Sequence, residues 1–496
     1  MIEPIIRYFA PQLALKREIA RRELGSISRS ETYTAADTNR LTGPWNPSNS
    51  NSNDIIAASR GTVSSRMREL VRNFPPFIRA VNRSVDFTVG SGIVFQSKAE
   101  TPKGEIDEKS SKAIEDAYNR WEDEADISGK LHLHEMQRLS KRAEVADGEF
   151  LIVKRLLDDP KRFIPLALQI YETDWLSTAN DNNENIHQGI EYDPNTYAVR
   201  AYHMQNPDSW YSTTVDRIPA EQVVHGFKMD RPGQLRGITP FVGAMTFAND
   251  FDDYINAKID KAKMAAKWLF IVESMTGRKH DYSSENGQKI EEVENCVVEN
   301  LRAGETITLA SDPTNVDIEP MIRLLFQLIS IVTDVPFEIL TGDYRGMNFT
   351  TLKASNNHFE FSLEPVKTRF VWQFCNPIAL SFLEIAQYSG ALNLPGYWQD
   401  PYRFQKMQWQ PPRMPETDPL KETKAAADSV TAKLSSPQSH ILRRGNDPQG
   451  VLKEWKQWNE WLKKYGVTTE EISTALANNP AKIEEQTGDK DNDKKS

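Results

Sequence analysis

From residue 244 to residue 268 the chain contains neither proline nor glycine. An uninterrupted helix of that length is roughly 38 Å long, more than a small compact core can enclose. Ile255, Ile259, Ala262, Ala266 and Leu269 recur along one side of it, flanked by Lys258, Lys261, Lys263 and Lys267. Such a stripe needs a second element to cover it. Pro320 to Thr333 offers one, an amphipathic helix stopped by Asp334-Val335-Pro336. Between the two, Gly277, Asn286-Gly287 and Gly304 punctuate a small mixed segment with a β-like run, Thr306 to Leu309. The centre of the chain therefore predicts two long helices separated by a small inserted unit.

The flanks read differently. Residues 12–24 predict a short basic amphipathic helix, and residues 42–53 a loop. Asp54 to Arg72 predicts a helix with Asp54 as its N-cap, and a second helix runs from Phe77 to Val89. Gly90-Ser91-Gly92 ends it, and Ile93-Val94-Phe95 begins a strand. Residues 108–145 read as helical and charged. Short strands follow at Phe150–Val153, Leu166–Ile170 and Val223–Phe227, with a hairpin whose arms are Ile190–Tyr192 and Ala198–His203. Residues 145–230 are thus a β-rich unit. Thr350 to Tyr388 predicts a helix kinked at Pro365 and Pro377. Pro395, Pro401, Pro411, Pro412 and Pro415 mark an aromatic-rich linker. Helices are expected again at Asp418–Leu434 and Pro448–Tyr465. In the last, Val451, Trp455, Trp458, Leu462 and Tyr465 follow heptad-like spacing for packing on a partner. Residues 480–496 are polar and charged, and disorder is expected there.

Charge narrows the function classes. Lys plus Arg total 60 and Asp plus Glu 70, a formal charge of −10. Gripping nucleic acid scales with the number of cationic phosphate contacts, so this balance argues against a DNA clamp. It leaves room for a protein that touches DNA without holding it. Two cysteines, Cys296 and Cys375, exclude a disulfide scaffold and a Cys-rich zinc site. The first residues lack the apolar core and cleavage site of a signal peptide. The most apolar stretch, Ile322 to Val332, is broken by Arg323 and Gln327 and is too short to span a bilayer. A soluble intracellular chain from a reducing compartment, with no membrane partner, is the expectation.

No catalytic or cofactor motif emerges. There is no phosphate-cradling glycine loop ending in Gly-Lys-Ser/Thr, and no nucleophile elbow. Gly90-Ser91-Gly92 lacks the third glycine of a dinucleotide loop, since Phe95 stands there. His132-Leu133-His134-Glu135 has Arg138 where a zinc helix needs a histidine. Asp252 and Asp253 are adjacent and do not share a helix face. The expectation is a non-enzyme with no metal, no cofactor and no catalytic residues. Arg60, Arg66, Arg68, Arg72 and Arg79 could bind phosphate. Salt bridges between subunits are the favoured reading, because the cluster lies between acidic segments. Trp455 and Trp458 read as core or interface packing rather than as a base-stacking platform. The loop 342–351 is polar and glycine-flanked, with a single cation, Arg345, and with Lys353 one turn into the next helix.

Several fragments, taken in order, resemble the portal proteins of tailed bacteriophages, most closely the lambda-type group. They are Arg68-Glu69-Leu70-Val71-Arg72-Asn73 with Pro75, Val89-Gly90-Ser91-Gly92-Ile93, Asp147-Gly148-Glu149-Phe150 and Gly189-Ile190-Glu191-Tyr192-Asp193. Ile218-Pro219-Ala220 with His225, and Arg231-Pro232-Gly233-Gln234 with Arg236-Gly237, come next. Leu340-Thr341-Gly342-Asp343-Tyr344 with Asn348-Phe349-Thr350-Thr351 follows. Trp409 with Pro411-Pro412, and Asp418-Pro419 with Lys421-Glu422, complete the series. The family's aromatic-Ser-Ser after the loop is Phe349-Thr350-Thr351 here, which keeps the hydroxyls.

The resemblance implies an α+β, mainly helical portal fold with wing, two-helix stem, clip, tunnel loop and helical crown. On that template residues 1–53 are an N-terminal arm and 54–239 the wing. Residues 240–270 and 319–340 are the stem helices, with the clip at 271–318 between them. The tunnel loop is 341–352, the long helix and wing return 353–417, the crown side 418–475, and the tail 476–496. The resemblance further implies a ring of about twelve copies at one capsid vertex, assembled in the host cytoplasm and retained in the virion. Double-stranded viral DNA would be packaged and ejected through it. Terminase large subunit, head-completion and connector proteins, and major capsid and scaffold proteins would be partners. Arg345, Asn348 and Lys353 are then expected at the DNA channel, and Arg60, Arg66, Arg68 and Arg72 at contacts between subunits.

Overall fold

The computed structural model describes residues 49–466 except 182–184, 206–213, 267–269, 275–304, 310–317, 415–418, 445 and 447, plus positions 12, 15–17, 19, 20 and 47. The basic helix 12–24, most of the arm 1–53 and the tail 476–496 fall largely or wholly outside these residues. So do most of the segment 271–318, Cys296, Pro415 and Asp418.

Helix α1 (Ser52–Asn73) is followed, after Phe74, by α2 (Pro75–Thr88) and strand β1 (Val94–Ser97). The N-cap of α1 is Asn51, whose side chain accepts from the Asn53 amide at 3.2 Å; Asp54 lies inside the first turn instead. Residues 108–145 form two helices, α3 (Glu108–Glu122) and α4 (Leu133–Ala146). The break is organised by Asp126, whose carboxylate accepts from Ser128 and from the amides of Lys130 and Leu131, with Gly129 left-handed at φ 66°.

Strands β2 (Glu149–Leu156), β3 (Leu166–Tyr171), β4 (Ile186–His187), β5 (Ile190–Tyr192), β6 (Val199–Met204), β7 (Asp216–Pro219) and β8 (Val223–Phe227) build two antiparallel sheets, in orders β3-β2-β8 and β4-β5-β6-β7. Successive side chains of a strand face opposite ways. Phe150 and Ile152 therefore enter one core, with Trp121, Tyr118 and Phe382, while Leu151 and Val153 enter another with Ile190, Tyr202 and Met204. Both faces of β2 are covered, so its sequence is a continuous apolar run rather than an alternation. Trp121, fully buried, donates its indole N–H to the Leu166 carbonyl at 2.9 Å. Gly148 opens β2 at φ 92°, and a Cβ there would stand 2.3 Å from the Ile238 carbonyl carbon.

Helix α5 (Val242–Ala266), strands β9 (Phe270–Ser274) and β10 (Glu305–Leu309), and α6 (Ile318–Thr333) come next. β9 and β10 pair antiparallel, Phe270 opposite Leu309. A second helix continuous over 319–340 is not formed. Asp334 turns left-handed at φ 55°, and a separate α7 (Phe337–Thr341) follows. Helix α8 (Phe349–Phe370) tolerates Pro365 internally. The irregularity lies at a wide turn, Val371–Cys375, ahead of α9 (Asn376–Tyr388), where Pro377 occupies the first turn. The expected linker contains strand β11 (Met407–Gln410), paired antiparallel with β1. Its prolines stand before and after the strand, where no ladder hydrogen bond is lost. Tyr397 and Phe404 are buried beside it, and Trp409 donates to Asn376 Oδ1 at 2.7 Å. Helices α10 (Pro419–Thr431), α11 (Pro437–Arg443) and α12 (Pro448–Tyr465) close the described chain. Of the heptad residues of α12, Trp455, Trp458 and Tyr465 are exposed, while Val451 and Leu462 are half-buried.

Candidate functional site

Two places gather the residues singled out by sequence: the loop after α7, and a buried charge centre at the start of β2.

Helices α5 and α6 lie antiparallel. Ala244, Met245, Ala248 and Phe251 of α5 share a core with Leu325 and Ile329 of α6, and the Phe251 and Phe326 rings meet at 5.7 Å. After Pro336 the chain doubles back along α6, so that the Arg323 guanidinium lies 5.4 Å from the centre of the Phe337 ring. Arg79 of α2 donates to the Ile339 carbonyl at 3.0 Å and holds α7 in place. Gly342, left-handed at φ 77°, ends α7. The Asp343 carboxylate then accepts the Arg345 amide at 3.1 Å and grips the Arg345 guanidinium through both oxygens, at 2.9 and 2.8 Å. The same guanidinium reaches Glu319, in the first turn of α6, at 3.3 Å.

This pairing holds Asp343 at about 2, below the usual carboxylate range, chiefly through the side-chain bond from Arg345. The same bond raises Arg345 in turn. Although its side chain is 78 % exposed, Arg345 faces two carboxylates, and Arg323 acts on Asp343 as well. Lys353 pairs with Glu422 of α10 at 3.1 Å. Asn348 is the N-cap of α8, accepting from the Thr351 amide and hydroxyl, both at 2.8 Å. The three residues expected at a DNA channel thus lie on one loop and the helix it opens, each engaged with its own chain.

The arginines of α1 divide. Arg60 is buried, bonding Thr173 Oγ1 at 2.5 Å and Glu149 at 2.9 Å. Arg68 bonds Asp147 at 2.7 Å and Asp174 at 2.6 Å. Arg60 and Arg68, expected at contacts between subunits, make ion pairs within the chain, because their face of α1 lies over the start of β2. Arg66 and Arg72 are exposed.

Glu149 is fully buried. Arg236 donates to Glu149 Oε1 at 2.8 and 2.6 Å, the Gly237 amide donates to Oε2 at 2.7 Å, and His225 Nε2 lies 3.2 Å from Oε2. Arg236 also donates to the carbonyls of Gln188 at 2.8 Å and Thr173 at 3.1 Å. Burial alone would push the Glu149 carboxyl up; Arg236 and Arg60 overcome it and hold the group well below its ordinary range. Four of the fragments that carried the family resemblance, those with Arg68, Glu149, His225 and Arg236, converge here. Their clustering was invisible in the sequence. The one local signal was a lone acid heading an apolar strand.

Elsewhere His132 caps α4 by accepting from the His134 amide at 3.1 Å. Among the described residues no group of three or more His, Cys, Asp or Glu is placed to hold a metal ion, and no helix is long and apolar enough to cross a membrane.

The described chain thus joins an α+β body to a paired helical hairpin that is followed, after the short helix α7, by a glycine-bounded loop. Residues 38–364 match the family described as phage portal protein, lambda family, and the chain belongs to it. It is 23 % identical over 485 residues to the probable portal protein of Halomonas phage phiHAP-1, covering 93 % of this chain and 92 % of that one. It is 21 % identical over 456 residues to the portal protein of Escherichia phage N15, covering 82 % and 86 %. Among solved structures, the neck of a native gene transfer agent particle computed with C12 symmetry aligns with a TM-score of 0.46 at 12 % identity, covering 79 % of this chain and 99 % of that chain. The neck of the empty particle computed with C6 symmetry gives 0.46 at 12 %, covering 77 % and 93 %.

Proposed function

We propose that copies of this chain form a ring at one capsid vertex and that double-stranded viral DNA is packaged and ejected through its centre. The segment between α5 and α6 docks the terminase large subunit during packaging and head-completion or connector proteins afterwards. Major capsid and scaffold proteins contact the body, assembly takes place in the host cytoplasm, and the subunit remains in the virion. The role is structural, not enzymatic.

The observation that carries this reading is the neutralised loop following the α5–α6 hairpin in a member of the portal family. A conduit must let phosphates pass, and each unpaired cation would act as a brake. Arg345 is tied to Asp343 and Glu319, and Lys353 to Glu422. The loop therefore offers DNA a polar surface whose cations are already paired. Negative-stain microscopy of the purified chain tests the proposal. Rings with a central hole are expected; monomers, or closed particles without a hole, would overturn it.

A further inference from the structure

Strand β3 keeps part of its outer edge open. At Leu168 that edge is used: the amide donates to the Ala125 carbonyl at 2.7 Å, and the carbonyl accepts from the Ile127 amide at 3.0 Å. The turn organised by Asp126 then carries this neighbouring chain away from β3. Backbone groups point to the same side at every second residue of a strand. Ile170, opposite Ile152 as Leu168 is opposite Lys154, therefore presents its amide and carbonyl on that outer side. Among the described residues neither group has a partner there.

This edge is one wall of a cleft of about 700 Å³, with α1 and α4 as the others. Val71, Leu131, Ala143 and Ile170 give it an apolar floor, and Leu139 stands 41 % exposed in its lining. Charge selects the occupant. The lining holds Arg68, Arg72 and Arg142 against Asp126, Asp147 and Glu172, an even balance that suits nucleic acid poorly. Arg68 is paired with Asp147. The Asp126 carboxylate accepts from Ser128 and from two amides. Arg142 donates to the neutral Asn82, and neither it nor the exposed Arg72 meets a carboxylate among the described residues. Glu172, just past β3, meets no cation among them. An extended peptide answers each feature: main-chain groups for Ile170, an aliphatic side chain for the floor, and a carboxylate for the two arginines.

We propose that this cleft docks an extended segment of another protein, added to β3 as a strand, with an acidic residue facing Arg72 and Arg142. The inference rests on the reading that other head proteins contact the body, and makes no use of the ring. The test uses the full-length chain and a fluorescein-labelled peptide, Gly-Val-Asp-Val-Asp-Val-Gly-amide, followed by fluorescence anisotropy. Saturable binding is expected, with slowed amide exchange confined to residues 169–172. Arg72→Glu with Arg142→Glu, both on the surface, should weaken it about fivefold or more, the scale of two rim ion pairs lost. The fully N-methylated peptide, which cannot pair as a strand, should not bind. Binding that survives N-methylation, indifference to the arginine reversal, protection in another segment, or no saturation up to about 2 mM each overturns the cleft. Rings seen by microscopy would stand in every one of those cases.

Discussion

Arg236 and Glu149, 87 residues apart in the chain, meet at 2.6 Å in the interior of the protein. Arg60 completes the clasp at 2.9 Å, so one carboxylate ties α1, β2 and the segment ahead of α5 together. Breaking a buried pair from one side strands the other charge and costs about 3–5 kcal/mol. Arg236→Leu should therefore lower the unfolding free energy measured in urea by an amount of that order. A shift no larger than that of an ordinary surface variant would show that the centre is not structural.

The same centre sets a pH dependence. The Glu149 carboxyl is depressed in the folded protein. Its contribution to stability is fully present above the ordinary carboxylate value, about 4.3, and is lost as pH falls through the lower folded value. Melting temperature followed downward from pH 5 should decline less steeply for Glu149→Gln than for the parent. That variant should begin from a lower plateau, because Arg60 and Arg236 then face a neutral amide.

At the loop, Asp343 is the restraint on Arg345. Asp343→Ala should remove the two-point grip on the guanidinium, leaving only its 3.3 Å contact with Glu319, and should increase DNA retention at low salt, with slower packaging. Arg345→Ala should leave rings and melting temperature unchanged. Filter binding across a salt series reads the difference: a steeper salt slope is expected for Asp343→Ala, since each added phosphate contact steepens it. Identical slopes would remove the loop from the DNA path.

Asn348 separates capping from contact. Asn348→Ala should cost about 1 kcal/mol by leaving the Thr351 amide without its acceptor, and should speed amide exchange at residues 350–352. Asn348→Ser or Asn348→Asp should restore protection. Rescue of exchange without rescue of packaging would instead assign the side chain to DNA.

Trp121 tests the main core. It is fully buried against Tyr118 and Phe382, with ring centroids 5.6 and 5.2 Å away. Trp121→Ala should cost about 3–5 kcal/mol, visible as a lowered denaturation midpoint.

Much of the fold was legible. The sequence pattern puts strand β8 at its observed bounds, Val223–Phe227, and its proline- and glycine-free run 244–268 falls largely on α5, Val242–Ala266. Both depend on local pattern and on glycine and proline punctuation. Strand β11 was missed because its partner β1 lies more than 300 residues upstream and its neighbours are prolines. The division of 108–145 into α3 and α4 was missed because Asp126 replaces helical hydrogen bonds with a side-chain acceptor, which periodicity does not register.

Sequence by itself determined where the long helices, the β-rich unit and the glycine-bounded loop lie, since period-3.6 and period-2 patterns are set by neighbours within a few residues. It also carried the family, through fragments whose order could be read without knowing where they meet. Tertiary structure alone decided how the charges are used. Arg60 and Arg68 turned inward to Glu149, Asp147 and Asp174, and Arg345 was held by Asp343 and Glu319. The strength of an ion pair depends on distance and on the surrounding dielectric, and for the partners that lie 26 to 106 residues apart, all of these but Asp343 and Arg345, only the folded chain sets either.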